Sequence, residues 1–266
     1  GTDHHRFPHT GSMRYKEGIK KVPIGALSAP DADQLQRAMK RGPVSVSLNI
    51  QGRERDAVVS GNVIAEVPGE TDDIVLIGAH LDSWDLGTGA VDDGAGVGIV
   101  MAAAHKILKT KKKPRRTIRV VLFGAEEMGL LGAKHYVEKY ASEMQKHFLA
   151  SESDFGAGQV WRLDTLLRKE HLSFQDQFLT ILKPINIHKG NNEAQGGPDM
   201  IPFLEKGVPV FSLQQDGTDY FDVHHTEDDT FDKISKKSIQ QNVAAWAAMT
   251  WMGANLKVQN LREKKL

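Results

Sequence analysis

The run Asp73-Ile74-Val75-Leu76-Ile77-Gly78-Ala79-His80-Leu81-Asp82-Ser83-Trp84-Asp85, closely followed by Gly89-Ala90-Val91-Asp92-Asp93-Gly94-Ala95-Gly96, joins an apolar segment to a polar cluster. Residues 73–79 have strand length and end in small side chains. Over residues 95–108, Ala, Val, Ile and Met recur at helical spacing. The cluster therefore falls where a buried strand ends and a helix begins, the edge at which α/β sheets bind ligands. His80, Asp82 and Asp92 offer nitrogen and oxygen donors there, as a metal site requires. Taken alone, the same residues fit a turn or a helix cap.

Working outward, strand and helix patterns alternate. Strands are predicted at residues 63–67, 117–123, 146–152 and 208–213, and helices at 131–140, 174–182, 200–206 and 236–256. Such alternation predicts an α/β domain around a mixed, largely parallel sheet. The first fifty residues differ: a turn-like Pro8-His9-Thr10-Gly11-Ser12, a helix over 31–40, and an alternating strand over 44–50. A polar junction at Arg53 to Asp56 marks a domain boundary.

With 266 residues, 40% hydrophobic and 26% charged, the chain has the composition of a globular protein. Lys plus Arg equals Asp plus Glu at 34 each, so no global field favours nucleic acid or an anionic membrane. The basic stretch 109–116 reads as a solvated loop. No apolar run approaches the ~20 residues that span a bilayer. Cysteine is absent, so a zinc ion would have to be held by His and carboxylates.

Further stations repeat the strand-end character of the first. Val120-Val121-Leu122-Phe123-Gly124-Ala125-Glu126-Glu127 ends on two adjacent carboxylates, which repel each other unless cations neutralise them. Leu149-Ala150-Ser151-Glu152-Ser153-Asp154 adds another acid, and Val223-His224-His225-Thr226-Glu227-Asp228-Asp229-Thr230 a pair of imidazoles. Two histidines with three or four carboxylates suit a pair of borderline divalent ions such as zinc. A shared carboxylate can hold such ions about 3.5–4 Å apart, and a carboxylate left free can take a proton from water.

His80-Leu81-Asp82-Ser83, Val91-Asp92-Asp93-Gly94, Ala125-Glu126-Glu127, Glu152-Ser153-Asp154 and His225-Thr226-Glu227-Asp228-Asp229-Thr230 resemble, in family order, the M28 family of di-zinc peptidases. The doubled His224-His225, the Trp84-Asp85 pair and Pro8-His9-Thr10-Gly11 narrow the resemblance to its carboxypeptidase Q subgroup. The resemblance implies a three-layer α/β/α sandwich of the zinc exopeptidase type over residues 53–266. Residues 1–52 would then be the remnant of an inserted, protease-associated-like cap domain whose earlier part precedes this chain.

It also implies roles. His80 would bind one zinc and His225 the other, with Asp92 bridging the two Zn2+, Glu127 joining one ion and Asp154 the other. Glu126 would be the general base. Asp82 would orient the His80 ring through its other nitrogen, and the Asp92–Asp93 peptide would be cis. His224 would either donate to a developing oxyanion or only shape the pocket rim. Asp199 and Asp216, on Gly-rich loops, would hold a substrate ammonium or cap a helix or turn. His4, His5, His9, His135, His147, His171 and His188 have no strand-end context and read as surface residues. The expected activity is exopeptidase cleavage of dipeptides or short peptides with a free N-terminus, by a secreted or periplasmic enzyme. A homodimer is also expected, with Trp161 and Phe174 as contact residues or, equally, as core. The alternatives are a non-catalytic binding ectodomain and a single-zinc acyltransferase of the glutaminyl cyclase type.

Overall fold

The computed structural model describes residues 5–51 and 56–261. After an N-terminal helix, α1 (Ala29–Met39), come β1 (Val63–Val67), β2 (Thr71–His80), α2 (Ala95–Lys109), β3 (Arg116–Phe123) and α3 (Leu131–Lys139). Then follow β4 (His147–Glu152), β5 (Val160–Thr165), α4 (Ser173–Leu182), β6 (His188–Lys189) and α5 (Ile201–Glu205). The chain continues through β7 (Phe211–Gln215), α6 (Tyr220–Val223) and the long α7 (Lys236–Asn255).

Four strands form a sheet in the order β1-β3-β2-β4, and three more in the order β6-β5-β7. A parallel bridge from Ala150 to Val210 joins them edge to edge. β2 runs parallel to β3 and β4, whereas β1 is antiparallel to β3 and β5 to β7. The mixed, largely parallel sheet is thus the one expected.

Because side chains alternate across a strand, β2 feeds two cores. Val75, Ile77 and Ala79 pack with Ile99 of α2, Phe178 of α4 and Trp246 of α7. Ile74 and Leu76 pack on the other face with Tyr136 of α3 and Phe203 of α5. Helices cover both faces, which is why β2 and β3 read as continuous apolar runs rather than as alternating ones.

Three expectations need correction. The alternating stretch 44–50 forms no strand among the described residues; its Val44, Val46, Leu48 and Ile50 are exposed. An alternating pattern specifies a strand only where a neighbour pairs with it, and this segment has none there. The strand predicted at 208–213 is displaced to Phe211–Gln215, because Pro209 has no N–H to give a ladder. His147 is buried in the core, between the Tyr136 hydroxyl at 3.0 Å and the Glu143 carbonyl at 3.0 Å.

Candidate metal centre

The carboxyl ends of the parallel strands place the acids and imidazoles together. His80 closes β2, fully buried, and its backbone N–H donates to Asp93 Oδ2 at 3.0 Å. Its Nδ1 meets the Asp82 carbonyl oxygen at 2.8 Å, which fixes the proton there and turns Nε2 inward. That Nε2 lies 3.0 Å from Asp92 Oδ1 and 3.6 Å from Asp154 Oδ1. The other oxygen, Asp92 Oδ2, lies 3.4 Å from His225 Nε2, which is 3.1 Å from Glu127 Oε2. Two of the resulting donor sets share Asp92, namely His80-Asp92-Asp154 and Asp92-Glu127-His225, and His80-Glu126-Glu127 and His9-His224-His225 are two more, each set with its atoms within 4.8 Å of one another. Asp92 turns one oxygen to each of the first two. The Asp92–Asp93 peptide is cis, as expected.

Asp82 differs in detail from its expected part. Its carboxylate stands 3.6 Å from His80 Nδ1 and instead accepts the N–H groups of Glu126 at 2.9 Å and Glu127 at 3.1 Å. The carbonyl of Asp82 orients His80, while its carboxylate fixes the turn that carries both glutamates.

The electrostatics are those of an acid cluster short of positive charge. Burial pushes the Glu126 carboxyl up to about 8, helped by Asp154, Asp199 and Glu127 against the opposing pull of His80. Burial alone would lower His225, but hydrogen bonds to Asp92 and Glu127 outweigh it and raise the ring to about 10. Asp92 is driven the other way: burial opposes its charge, and its bonds to His225 and His80 hold it well below the usual carboxylate range. Glu127 Oε1 is buried without a hydrogen-bond partner among the described residues. An orphaned carboxylate oxygen beside two such donor sets, all nitrogen and oxygen, fits divalent cations of the zinc type.

A cleft of about 260 Å³ opens onto these groups, walled by Phe155, Pro198, Tyr220, Phe221 and His224. A second of about 310 Å³ shares Asp154, Phe155 and Pro198 with it and is bounded by Gly196, Gly197 and Ile201. His224 stands at the rim with Nε2 3.2 Å from Asp92 Oδ2.

Asp199 and Asp216 are not brought to the cleft. Asp199 is fully buried behind the Gly196-Gly197-Pro198 loop, where its N–H donates to Glu152 Oε2 at 2.7 Å, so a substrate ammonium does not reach it. Burial pushes its carboxyl up to about 7. Asp216 is exposed and accepts from the Thr218 amide at 3.0 Å and hydroxyl at 2.6 Å. It is a turn residue.

Four groups went unassigned in the sequence. Asp229 accepts from the Val91 and Asp92 amides at 2.6 and 3.1 Å. Asp93 ties His80 to α2 by accepting from the Gly96 amide at 3.1 Å. Trp84 stacks on His225 with ring centres 5.1 Å apart. His9, read as a surface residue, instead lies 3.0 Å from His224 Nδ1. His5 is likewise drawn in, hydrogen-bonded to the Asp222 carbonyl, whereas His4 lies outside the described residues. The Asp93 and Asp229 signals were present, since both lie inside the quoted motifs; for His9 the sequence holds only its place beside Pro8 and Thr10.

The chain belongs to Peptidase family M28, which it matches over residues 62–250. It is similar to carboxypeptidase Q of Mus musculus, 31% identical over 94% of this chain and 53% of that protein. The crystal structure of a peptidase M28 precursor from Shewanella amazonensis superposes with a TM-score of 0.93 at 48% identity, covering 100% of this chain and 61% of that one. BSAP, a zinc aminopeptidase from Bacillus subtilis, is 25% identical with a TM-score of 0.59, over 76% of this chain and 52% of that one. The chain thus spans about half the length of the carboxypeptidase Q it matches.

Proposed function

We propose that the chain is the catalytic part of a di-zinc exopeptidase that hydrolyses dipeptides or short peptides with a free N-terminus. The observation that carries this reading is Asp92, whose two oxygens face His80 and His225 respectively. His80, Asp92 and Asp154 would hold one ion, and His225, Asp92 and Glu127 the other. Zinc, when bound there, supplies Lewis-acid polarisation of the scissile carbonyl and lowers the pKa of water. Glu126, beside both donor sets but with its backbone pinned by Asp82, takes the proton of the attacking water and hands it to the leaving amine. His224 donates from Nε2 to the developing oxyanion. The small cleft, walled by Phe155, Tyr220 and Phe221, favours the end of a short peptide over the middle of a long one.

Residues 1–52 read, in the same proposal, as the remnant of an inserted cap domain preceding the catalytic domain 53–266. The exposed apolar residues Val44 to Ile50 support it, as a surface built to meet more protein. Secretion or a periplasmic location, and a homodimer, belong to the same reading. Of the two expected dimer-contact residues, Trp161 is exposed, whereas Phe174 packs against the core. No helix among the described residues is long and apolar enough to cross a membrane.

The test is metal content per chain together with hydrolysis of free and N-blocked dipeptides. Two zinc ions, with cleavage of free-amine substrates only, are expected. One zinc, or none, without hydrolysis would move the reading to a cyclase-type acyltransferase or a binding ectodomain.

A further inference from the structure

The N-terminal segment meets the candidate metal centre at three stations. His5 is hydrogen-bonded to the Asp222 carbonyl. The Thr10 amide and hydroxyl both donate to the His225 carbonyl, at 3.0 and 2.8 Å. Four residues on, the Arg14 guanidinium lies against Gly129: a Cβ added at that glycine would stand 2.9 Å from Arg14 Nη2. Gly129 closes the turn that opens at Glu126, its amide donating to the Glu126 carbonyl at 2.7 Å. His225 Nε2 and Glu127 Oε2 are themselves 3.1 Å apart. Residues 10–14 therefore border the metal centre from His225 to the turn that carries both glutamates.

Arg14 is exposed and makes no ion pair among the described residues. A second cation stands on the same glycine. Lys134 Nζ donates to the Gly129 carbonyl at 2.7 Å, keeps two further N–H donors, and likewise has no carboxylate partner among the described residues. The neighbouring surface has the opposite sign. Asp92, Glu126, Glu127, Asp154 and Glu152 line the two clefts, and no lysine or arginine among the described residues lines either. Two unpaired cations thus give an acidic site a positive edge, on the turn of the proposed general base.

The direction of the reaction decides which end of a substrate meets that edge. The cleft walled by Phe155, Tyr220 and Phe221 takes the acyl residue. Glu126 hands its proton to the leaving amine, so the leaving residue lies beside Glu126. One residue of extended peptide spans at most about 3.6 Å. The carboxylate of a single leaving amino acid then falls along the turn from Glu126 to Gly129. There the planar fork of a guanidinium can hold both of its oxygens. The carboxylate of a longer peptide falls farther out.

We propose that Arg14, flanked by Lys134, binds the α-carboxylate of the residue after the scissile bond and so selects dipeptides with a free C-terminus. The inference rests on the peptidase reading above for the direction in which a substrate lies. Its test is calorimetric titration of the zinc-loaded full chain carrying Glu126→Gln with alanyl-alanine and with alanyl-alanine amide. The free acid is expected to bind about 10–100-fold more tightly, the weight of a charge-assisted hydrogen-bonded pair. Adding Arg14→Ala should cut that preference to no more than about fivefold, the weight of one exposed ion pair. Arg14→Lys, which keeps the charge but not the fork, should fall between. With Glu126 restored, Arg14→Ala should raise KM for alanyl-alanine by a similar factor.

Equal binding of acid and amide, or binding of neither, would overturn the proposal. So would a preference that survives Arg14→Ala, or a loss of rate confined to kcat. If the acid is preferred through Arg14 but the wild type cleaves neither compound, the peptidase reading fails and the carboxylate site stands. If the wild type cleaves both alike, the peptidase reading stands and the role of Arg14 falls.

Discussion

Asp229 stands 137 positions from Asp92 in sequence, yet both its oxygens accept from the amides that carry Asp92 into the site. Replacing it by Asn would leave one of those buried amides without an acceptor. The expected cost is about 1–3 kcal/mol of stability and about 10–100-fold in zinc affinity, read by denaturant unfolding and by competition with a chromophoric chelator. Glu126→Gln should keep the zinc and lose about 10²–10⁴ in kcat, the usual weight of a general base. The same residue bears on pH. Glu126 and Asp199 ionise near 4.5 and 3.8 when unperturbed but near 8 and 7 when folded, chiefly because they are buried. The folded state therefore binds more protons than the unfolded one across that window, and stability falls as pH rises through it. The raised His225 has the same sign from about 6.5 to about 10. Asp92 and His224 have the opposite sign, but the Asp92 window lies below pH 3.8, and that of His224, lowered by burial to about 4, closes at about 6.5, below the Glu126 and His225 endpoints. Metal-free protein should thus melt at a lower temperature at pH 8 than at pH 5, with a smaller drop in Glu126→Gln. A melting temperature that rises with pH would contradict this. Strand-end acids such as Glu126 and Glu127 were legible because their signal is local, and Asp229 lay inside a quoted motif that did not show its partners; the contact of His9 with His224 crosses the fold, and its place beside Pro8 and Thr10 does not predict it.

Among the elements, β2 and β3 were the easiest to read, because burial on both faces turns a strand into an unbroken apolar run. β5 was missed. Its Arg162 and Asp164 interrupt the apolar pattern and pair with each other at 3.0 Å, so the run looks like a loop. The two-residue β6 is below the length that any periodicity can show. Helix α2 is held to the sheet at Gly96, where a Cβ would lie 1.9 Å from the Ser153 carbonyl oxygen and 2.2 Å from Asp93 Oδ1. Gly96→Ala must push α2 away from the end of β4. The expected loss is about 1–3 kcal/mol, with a further weakening of zinc binding because Asp93 and Asp154 flank that contact. Unchanged unfolding in denaturant would show that the helix yields more easily than its packing implies.

At the scale of the molecule, the alternation of strands and helices was enough for an α/β domain with a largely parallel sheet, and the order of five motifs for the family and, through it, the layered sandwich. The relation of the first fifty residues to the rest was not legible, because the pairing of Thr10 with His225 joins segments 215 positions apart. That pairing brings a segment outside the family match to the edge of the proposed metal centre. Zinc should stabilise the whole chain, since it binds the folded state through groups that come together only there. The most direct test of the central claim is a calorimetric titration of metal-free protein with zinc, wild type against Asp92→Ala. A site built on one shared carboxylate predicts two equivalents for the wild type and the weakening of both in Asp92→Ala. A single equivalent in the wild type, or one site untouched by the substitution, would contradict it.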